Sequence, residues 1–173
     1  MIETIEYKGN TYPKFQSDGF AAKFAFPFAK ESCKGVGVDV GCNREEWKLE
    51  GAIAVDPAIE GCPYDAMNLP DNLDFVFNSH VAEHLVDWVG AFDYWHSRLK
   101  KGGIIFCYLP DTNNQVYWRP ANNRKHLHYM NPEIIKAYFD DRQAMFGNEV
   151  VWKNVFVTGH DLNSSFYAIA EKC

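Results

Sequence analysis

Four short apolar runs, "GVGVDVGC" (35–42), "GAIAVDP" (51–57), "LDFVFNS" (73–79) and "GGIIFCYLP" (102–110), constrain the fold of this chain more than any other feature. Each is too short for a core helix, is rich in β-branched or aromatic residues, and stops at glycine, proline or a polar side chain. Runs apolar on both faces belong to strands covered on both sides, which is the environment of a parallel sheet. Between the last two, Leu85, Trp88, Val89, Phe92, Trp95 and Leu99 recur near i, i+3, i+4 spacing and predict an amphipathic helix within 84–101. "NPEIIKAYFDD" (131–141) predicts another, with Asn131 as cap and Pro132 in the first turn. "EVVWKNVFVT" (149–158) and "SSFYAIAEK" (164–172), separated by "GHDLN", read as a C-terminal antiparallel hairpin. Strands alternating with helices predict an α/β, Rossmann-like, doubly wound and mostly parallel sheet with that hairpin added. "DGFAAKFAFPFAKESC" (18–33) reads as helical, capped by Asp18 and kinked or split at Pro27. The expected organisation is one domain over 1–173, with an N-terminal helical segment (1–34) before the core (35–173).

Bulk properties disfavour some partners. A chain of 173 residues is one domain by length and buries roughly 70% of its unfolded surface. The net charge of −6 disfavours nucleic acid, whose binding domains carry a basic footprint. Five cysteines (Cys33, Cys42, Cys62, Cys107, Cys173) with no C-x-x-C pair suggest reduced thiols and a cytoplasmic location. No basic segment followed by an apolar one opens the chain, and no apolar stretch approaches the length of a membrane span.

In sheets of this type ligands bind beyond the carboxyl ends of the strands, so the residues just after each run are the candidates. Gly41 permits a sharp turn, and Asn43 is the non-glycine residue best suited to a left-handed conformation. Asp56 can accept hydrogen bonds from ribose hydroxyls. Asp65 can accept one from an exocyclic amine, and "NSHVAEH" adds a polar cluster after the third run. A tight turn, two acids and a polar cluster in this order suit a nucleoside-containing cofactor.

At these residues the chain resembles class I S-adenosylmethionine-dependent methyltransferases. "VDVGC" is similar to that family's first glycine motif, Asp56 to its ribose acid, and "DAMNLPDNLDFVFNSHVAEHL" to its adenine loop and fourth strand. "HSRLKKGGIIFCYLPD" resembles the helix, turn and fifth strand that follow, and the likeness spans roughly 36–140. Within the class the chain looks most like small type-11-like members that accompany surface-glycan genes, which share "SHVxEHL", "YLPD" and a stretch like "RKHLHYMNPE". The resemblance implies S-adenosylmethionine as cofactor. Asp39 would orient the loop, Gly41, Cys42 and Asn43 would border the methionine end, and Asp56 would hold the ribose. Asp65 and Ala66 would hold the adenine, and Ser79 and His80 would close the site. Two departures stand out. The usual second and third glycines fall at Asn43 and Glu45, and seventeen positions from Asp39 to Asp56, then nine to Asp65, leave no room for full helices. A pared-down fold with a more open pocket is expected.

The acceptor side is read from what remains. "WRPANNRKHLHYMNPE" (118–133) follows the fifth strand, where acceptor loops insert. Tyr117 and Trp118 could stack on a sugar or ring. Arg119, Arg124 and Lys125 could pair with an anionic group, and Glu83 could contact the acceptor. His84, His126 or His128 could deprotonate a hydroxyl, since imidazole titrates near neutrality. Phe24 to Phe28 could close over the cofactor, although such a run is more often core. "HVAEH" also matches the inverted zinc-peptidase pattern His-x-x-Glu-His. A peptidase needs both histidines on one face of an established helix, and His80 directly follows a strand. Some methyltransferases bind a divalent metal through Glu-x-x-Glu-His, where this chain has His80 in place of the first Glu. The preferred expectation is no metal, with Glu83 and His84 capping the helix and lining the pocket floor. The activity expected is methyl transfer to a small molecule or glycan hydroxyl. A non-catalytic cofactor-binding domain and a metal-dependent hydrolase are the alternatives. The sequence leaves the acceptor and the oligomeric state open.

Overall fold

The computed structural model describes residues 3–7, 9–14, 18–144 and 150–173. Two short antiparallel strands, β1 (Thr4–Tyr7) and β2 (Asn10–Pro13), precede helix α1 (Ala22–Ser32). The core then runs β3 (Gly37–Val40), β4 (Ile53–Val55), β5 (Leu73–Ser79), α2 (Trp88–Arg98), β6 (Leu99–Pro110), α3 (Pro132–Ala144), β7 (Trp152–Val157) and β8 (Ser165–Lys172). These six core strands form one sheet in the order β4-β3-β5-β6-β8-β7. Its first four strands are parallel, and β8 pairs antiparallel with both β6 and β7. The Rossmann-like sheet with a C-terminal hairpin is therefore present. The hairpin at 4–13 was not legible as structure, and it occupies the start of the segment expected to be helical.

Period-two alternation divides the core between the two faces. On β5 and β6, Val76, Ile105, Cys107 and Leu109 point to the side covered by α2 and α3, where Phe92, Trp95, Ile135 and Phe139 are buried. Phe75, Phe77, Phe106 and Tyr108 point to the side covered by α1. Small residues on α1 meet large ones on the sheet, since Ala22, Ala25 and Ala29 form its buried face. The helix runs unbroken through Pro27, which forgoes one backbone hydrogen bond there. Asp18 does not cap it, because Ala21 holds the N-cap position without a side-chain bond. Asn131 does cap α3, its Oδ1 accepting from the Ile134 N–H at 2.8 Å. Helix α2 starts later than the apolar spacing predicts, capped by Asp87, whose Oδ1 accepts from the Gly90 N–H at 2.8 Å. Among the described residues no helix is long and apolar enough to cross a membrane.

Residues 56–72 connect β4 to β5 with no helix, so this flank of the sheet end is made of two turns and extended chain, the second turn closed by an Asp65–Asn68 bridge. Helix α2 holds that turn from below. Trp95 Nε1–H donates to the Ala66 carbonyl at 2.7 Å, and the Leu69 N–H donates to Tyr94 Oη at 2.8 Å. Replacing Trp95 with phenylalanine keeps most of the buried ring but leaves that carbonyl without its donor. We expect Trp95→Phe to cost about 1–3 kcal/mol in denaturant unfolding and to raise amide exchange at 65–69 relative to the β5 and β6 amides.

Candidate functional site

A cavity of about 580 Å³ opens where β3, β4 and β5 end. Its floor is the turn after β3. Gly41 has φ +79°, and a Cβ there would lie 2.2 Å from Val81 Cγ2, so the position accepts no side chain without displacement. The Gly41 N–H donates to the Val55 carbonyl at 2.7 Å, tying the turn to β4. Asn43 follows with φ +65°. Asp56 bridges the same turn, Oδ2 accepting from the Asn43 N–H at 2.7 Å and Oδ1 from the Ala58 N–H at 2.8 Å. Each of its oxygens keeps a further lone pair for a ligand hydroxyl. Asp65 lies at the opposite rim, its Oδ1 accepting from the Met67 N–H at 2.7 Å.

Asp39 lies behind the turn rather than in the cavity. It is buried, and its Oδ2 accepts from the Leu49 N–H at 2.6 Å. Burial pushes its carboxyl up to about 8, against the opposing effect of that hydrogen bond.

A second cavity of about 240 Å³ adjoins the first and shares Gly19, Gly41, His80, His84 and Lys125 with it. Its polar wall is "HVAEH". Residues Ala82–His84 form one tight 3-10 turn, not the start of α2, so Glu83 and His84 line the floor without capping a helix. His80 adopts φ +55°, and its Nε2 lies 3.0 Å from Ser165 Oγ. Glu83 is fully buried, with no hydrogen-bond partner for either carboxylate oxygen among the described residues. Burial pushes its carboxyl up to about 8. Burial also lowers the imidazoles, His126 to about 4, with His84 and His80 below their ordinary value. At neutral pH the cluster is a neutral acid among neutral rings.

The 111–130 loop closes this second cavity and is fastened to the "HVAEH" turn by imidazoles. His84 Nδ1 donates to the Lys125 carbonyl at 2.8 Å, His128 Nε2 to the Leu85 carbonyl at 2.8 Å, and the Leu127 N–H to the Glu83 carbonyl at 2.7 Å. Within the loop His126 Nδ1 donates to the Trp118 carbonyl at 2.6 Å.

Of the residues read from sequence, Gly41, Asn43, Asp56, Asp65, Ala66 and His80 line the larger cavity, and Ser79, Glu83, His84, Tyr117, Trp118 and His126 the smaller. Cys42 is buried and lines neither. Arg119 is turned back on the loop, its Nε–H donating to the Thr112 carbonyl at 2.8 Å, and Arg124 is exposed outside both. His128 is spent on Leu85 and also lies outside. Phe24, Phe26 and Phe28 pack on the sheet, and the cavity is bordered by the preceding turn, Asp18 to Ala21. Sequence reasoning missed Gly19, Met67 and Asn123, and placed Lys125 with the acceptor alone although it borders both cavities.

A family model described as "Methyltransferase domain" matches residues 19–144. Among solved structures, a SAM-dependent methyltransferase from Archaeoglobus fulgidus is 17% identical, with a TM-score of 0.64 over 92% of this chain and 99% of that one. A SAM-dependent methyltransferase from Thermotoga maritima, described as a possible histamine N-methyltransferase, is also 17% identical, with a TM-score of 0.59 over 92% and 97%. The N-methyltransferase NodS from Bradyrhizobium japonicum, solved with S-adenosyl-L-homocysteine, is 11% identical, with a TM-score of 0.55 over 91% and 87%. No curated protein matches the sequence.

The buried Asp39 carboxyl sets a pH dependence. Unfolded, it ionises near 4, whereas the folded protein holds its proton up to about 8. Between these values the unfolded chain binds fewer protons, so the contribution of this group to stability falls as pH rises through that window. Asp39→Asn keeps an oxygen for the Leu49 N–H and has no charge to bury. We expect thermal melts from pH 5 to 8 to show a shallower decline for Asp39→Asn than for the parent.

Proposed function

Because the chain belongs to the methyltransferase-domain family, we propose that it transfers a methyl group from S-adenosylmethionine to the hydroxyl of a small polar acceptor such as a sugar. The observation that carries this reading is the pair of joined cavities. The larger is of cofactor size and has acids at both ends; the smaller is polar, closed on one side by Trp118 and Tyr117, and opens into the larger beside Gly41 and His80. The residues present fit the cofactor. The turn at Gly41 gives a close backbone approach, Asp56 has lone pairs for vicinal hydroxyls, and the Asp65–Met67 rim offers a carboxylate beside backbone groups.

The cofactor supplies an electrophilic methyl carbon on a sulfonium. The chain's task is to hold two reactants in line and exclude water, so few groups with covalent or acid–base roles are needed. Trp118 gives the acceptor an apolar face, and Lys125 and Asn123 offer donors at the mouth. A second cavity of about 240 Å³ suits a molecule of monosaccharide size better than a polymer. Location in the cytoplasm, where the cofactor is made, is part of the same proposal.

Calorimetric titration with S-adenosylhomocysteine tests the cofactor site. We expect micromolar binding in chelator and at least a tenfold loss in Asp56→Ala, with a thermal melt to verify that the variant folds. A folded parent that does not bind would overturn the reading. Methyl transfer across a panel of sugars and small hydroxyl compounds separates an enzyme from a binding domain of the same fold.

A further inference from the structure

The Glu83 carboxyl is the centre of a cluster on the wall of the smaller cavity. Its Oε1 lies 3.7 Å from His80 Nδ1, 3.7 Å from His84 Nε2 and 4.0 Å from His126 Nε2. These distances are beyond hydrogen-bond reach, which is why a fully buried carboxyl has no partner here. A buried polar group left in this state demands an explanation.

The two flanking imidazoles supply one. A backbone carbonyl can only accept, so His84 Nδ1 and His126 Nδ1, which face the carbonyls of Lys125 and Trp118, both carry a proton. Neutral rings protonated at Nδ1 have bare Nε2 lone pairs, and both are turned toward Glu83. An N–H fixed on a backbone carbonyl with the other nitrogen presented inward is the arrangement that orients a metal-binding histidine. The donor atoms of Glu83, His84 and His126 lie within 4.8 Å of one another. A tetrahedral shell with bonds near 2.0–2.1 Å has edges of about 3.3 Å, so the edges to the carboxylate need to close by roughly half an ångström. His80 Nε2 rests on a hydroxyl, which can donate or accept, so its Nδ1 is able to act as a fourth donor.

We propose that Glu83, His84 and His126 form a site for one divalent first-row transition ion, with His80 beside it and the open side facing the smaller cavity. A set of imidazole nitrogens with one carboxylate suits zinc, manganese, iron, cobalt or nickel better than magnesium or calcium, which prefer oxygen. The consequence for the acceptor, which rests on the methyltransferase reading, is that a hydroxyl oxygen occupies the open position. There the ion makes it more acidic; the proton leaves to solvent and the oxygen bonds to the methyl carbon. The carbon–sulfur bond breaks with its electron pair left on sulfur, giving S-adenosylhomocysteine and the methyl ether. The glutamate is then a ligand and not the water-activating base that the peptidase pattern would require.

Metal binding is measured apart from activity. Protein stripped with chelator and desalted is titrated with Zn²⁺ and with Mn²⁺ by calorimetry, and with Co²⁺ by visible absorption. We expect one equivalent to bind, cobalt bands to appear, and affinity to fall at least tenfold in Glu83→Gln and in the more exposed His84→Gln, both verified as folded by thermal melt. The surface variant His160→Ala binds like the parent. Absence of stoichiometric binding by the parent, or binding by Glu83→Gln equal to the parent, overturns the site. S-adenosylhomocysteine titrated in chelator reports separately. Cofactor binding without metal binding removes the ion alone, whereas metal binding without cofactor binding upholds the ion site and removes the methyltransferase reading.

Discussion

Neighbouring parallel strands that leave a sheet in opposite directions must part, and in this protein β3 and β5 do so. From β3 the chain turns outward to β4; from β5 it turns the other way, through α2, to β6. Both departures occur through left-handed residues, Gly41 and His80. Glycine takes that conformation without penalty, while a histidine there costs about 1–2 kcal/mol. The His80 N–H donating to the Tyr108 carbonyl at 2.9 Å, and the ring resting on Ser165, offset it. The gap between the two turns is the junction of both cavities. The larger extends under β4 and the smaller under the loop that follows β6, so the parting of two strands fixes where a ligand can sit.

How much of this was legible in the sequence follows from what each residue depends on. Gly41, Asn43, Asp56 and His80 could be read from the sequence because their place is set by the strand before them, and strands announce themselves by short apolar runs. The 111–130 loop has no such period. Its charge pattern pointed to Arg119 and Arg124, yet a long side chain goes where its backbone aims it, and Arg119 was turned inward to satisfy the Thr112 carbonyl. His128 was misread for the same reason, as a free base when it is a fastener. The alanine spacing of α1 carried its helix through Pro27, a case of packing outweighing a local breaker. The phenylalanines of that helix were read as a possible lid, but on a chain this small the sheet needs their area for its core.

The histidines near the site have more than one duty. A 20-residue stretch with almost no regular structure must still satisfy its carbonyls, and His84, His126 and His128 do this for Lys125, Trp118 and Leu85. Fixing one nitrogen of a ring on the backbone also fixes the direction of the other. Loop closure and the arrangement of donors around Glu83 are therefore the same set of bonds, and the loop cannot be reshaped without moving them.

The turn that stands in for a helix between β4 and β5 has a kinetic meaning. Two side-chain hydrogen bonds, from Trp95 and to Tyr94, hold the wall of the larger cavity that carries Asp65, Ala66 and Met67. Swinging it aside would break both bonds and draw Leu69 out of the core, so this wall opens only with a local loss of packing, and therefore slowly.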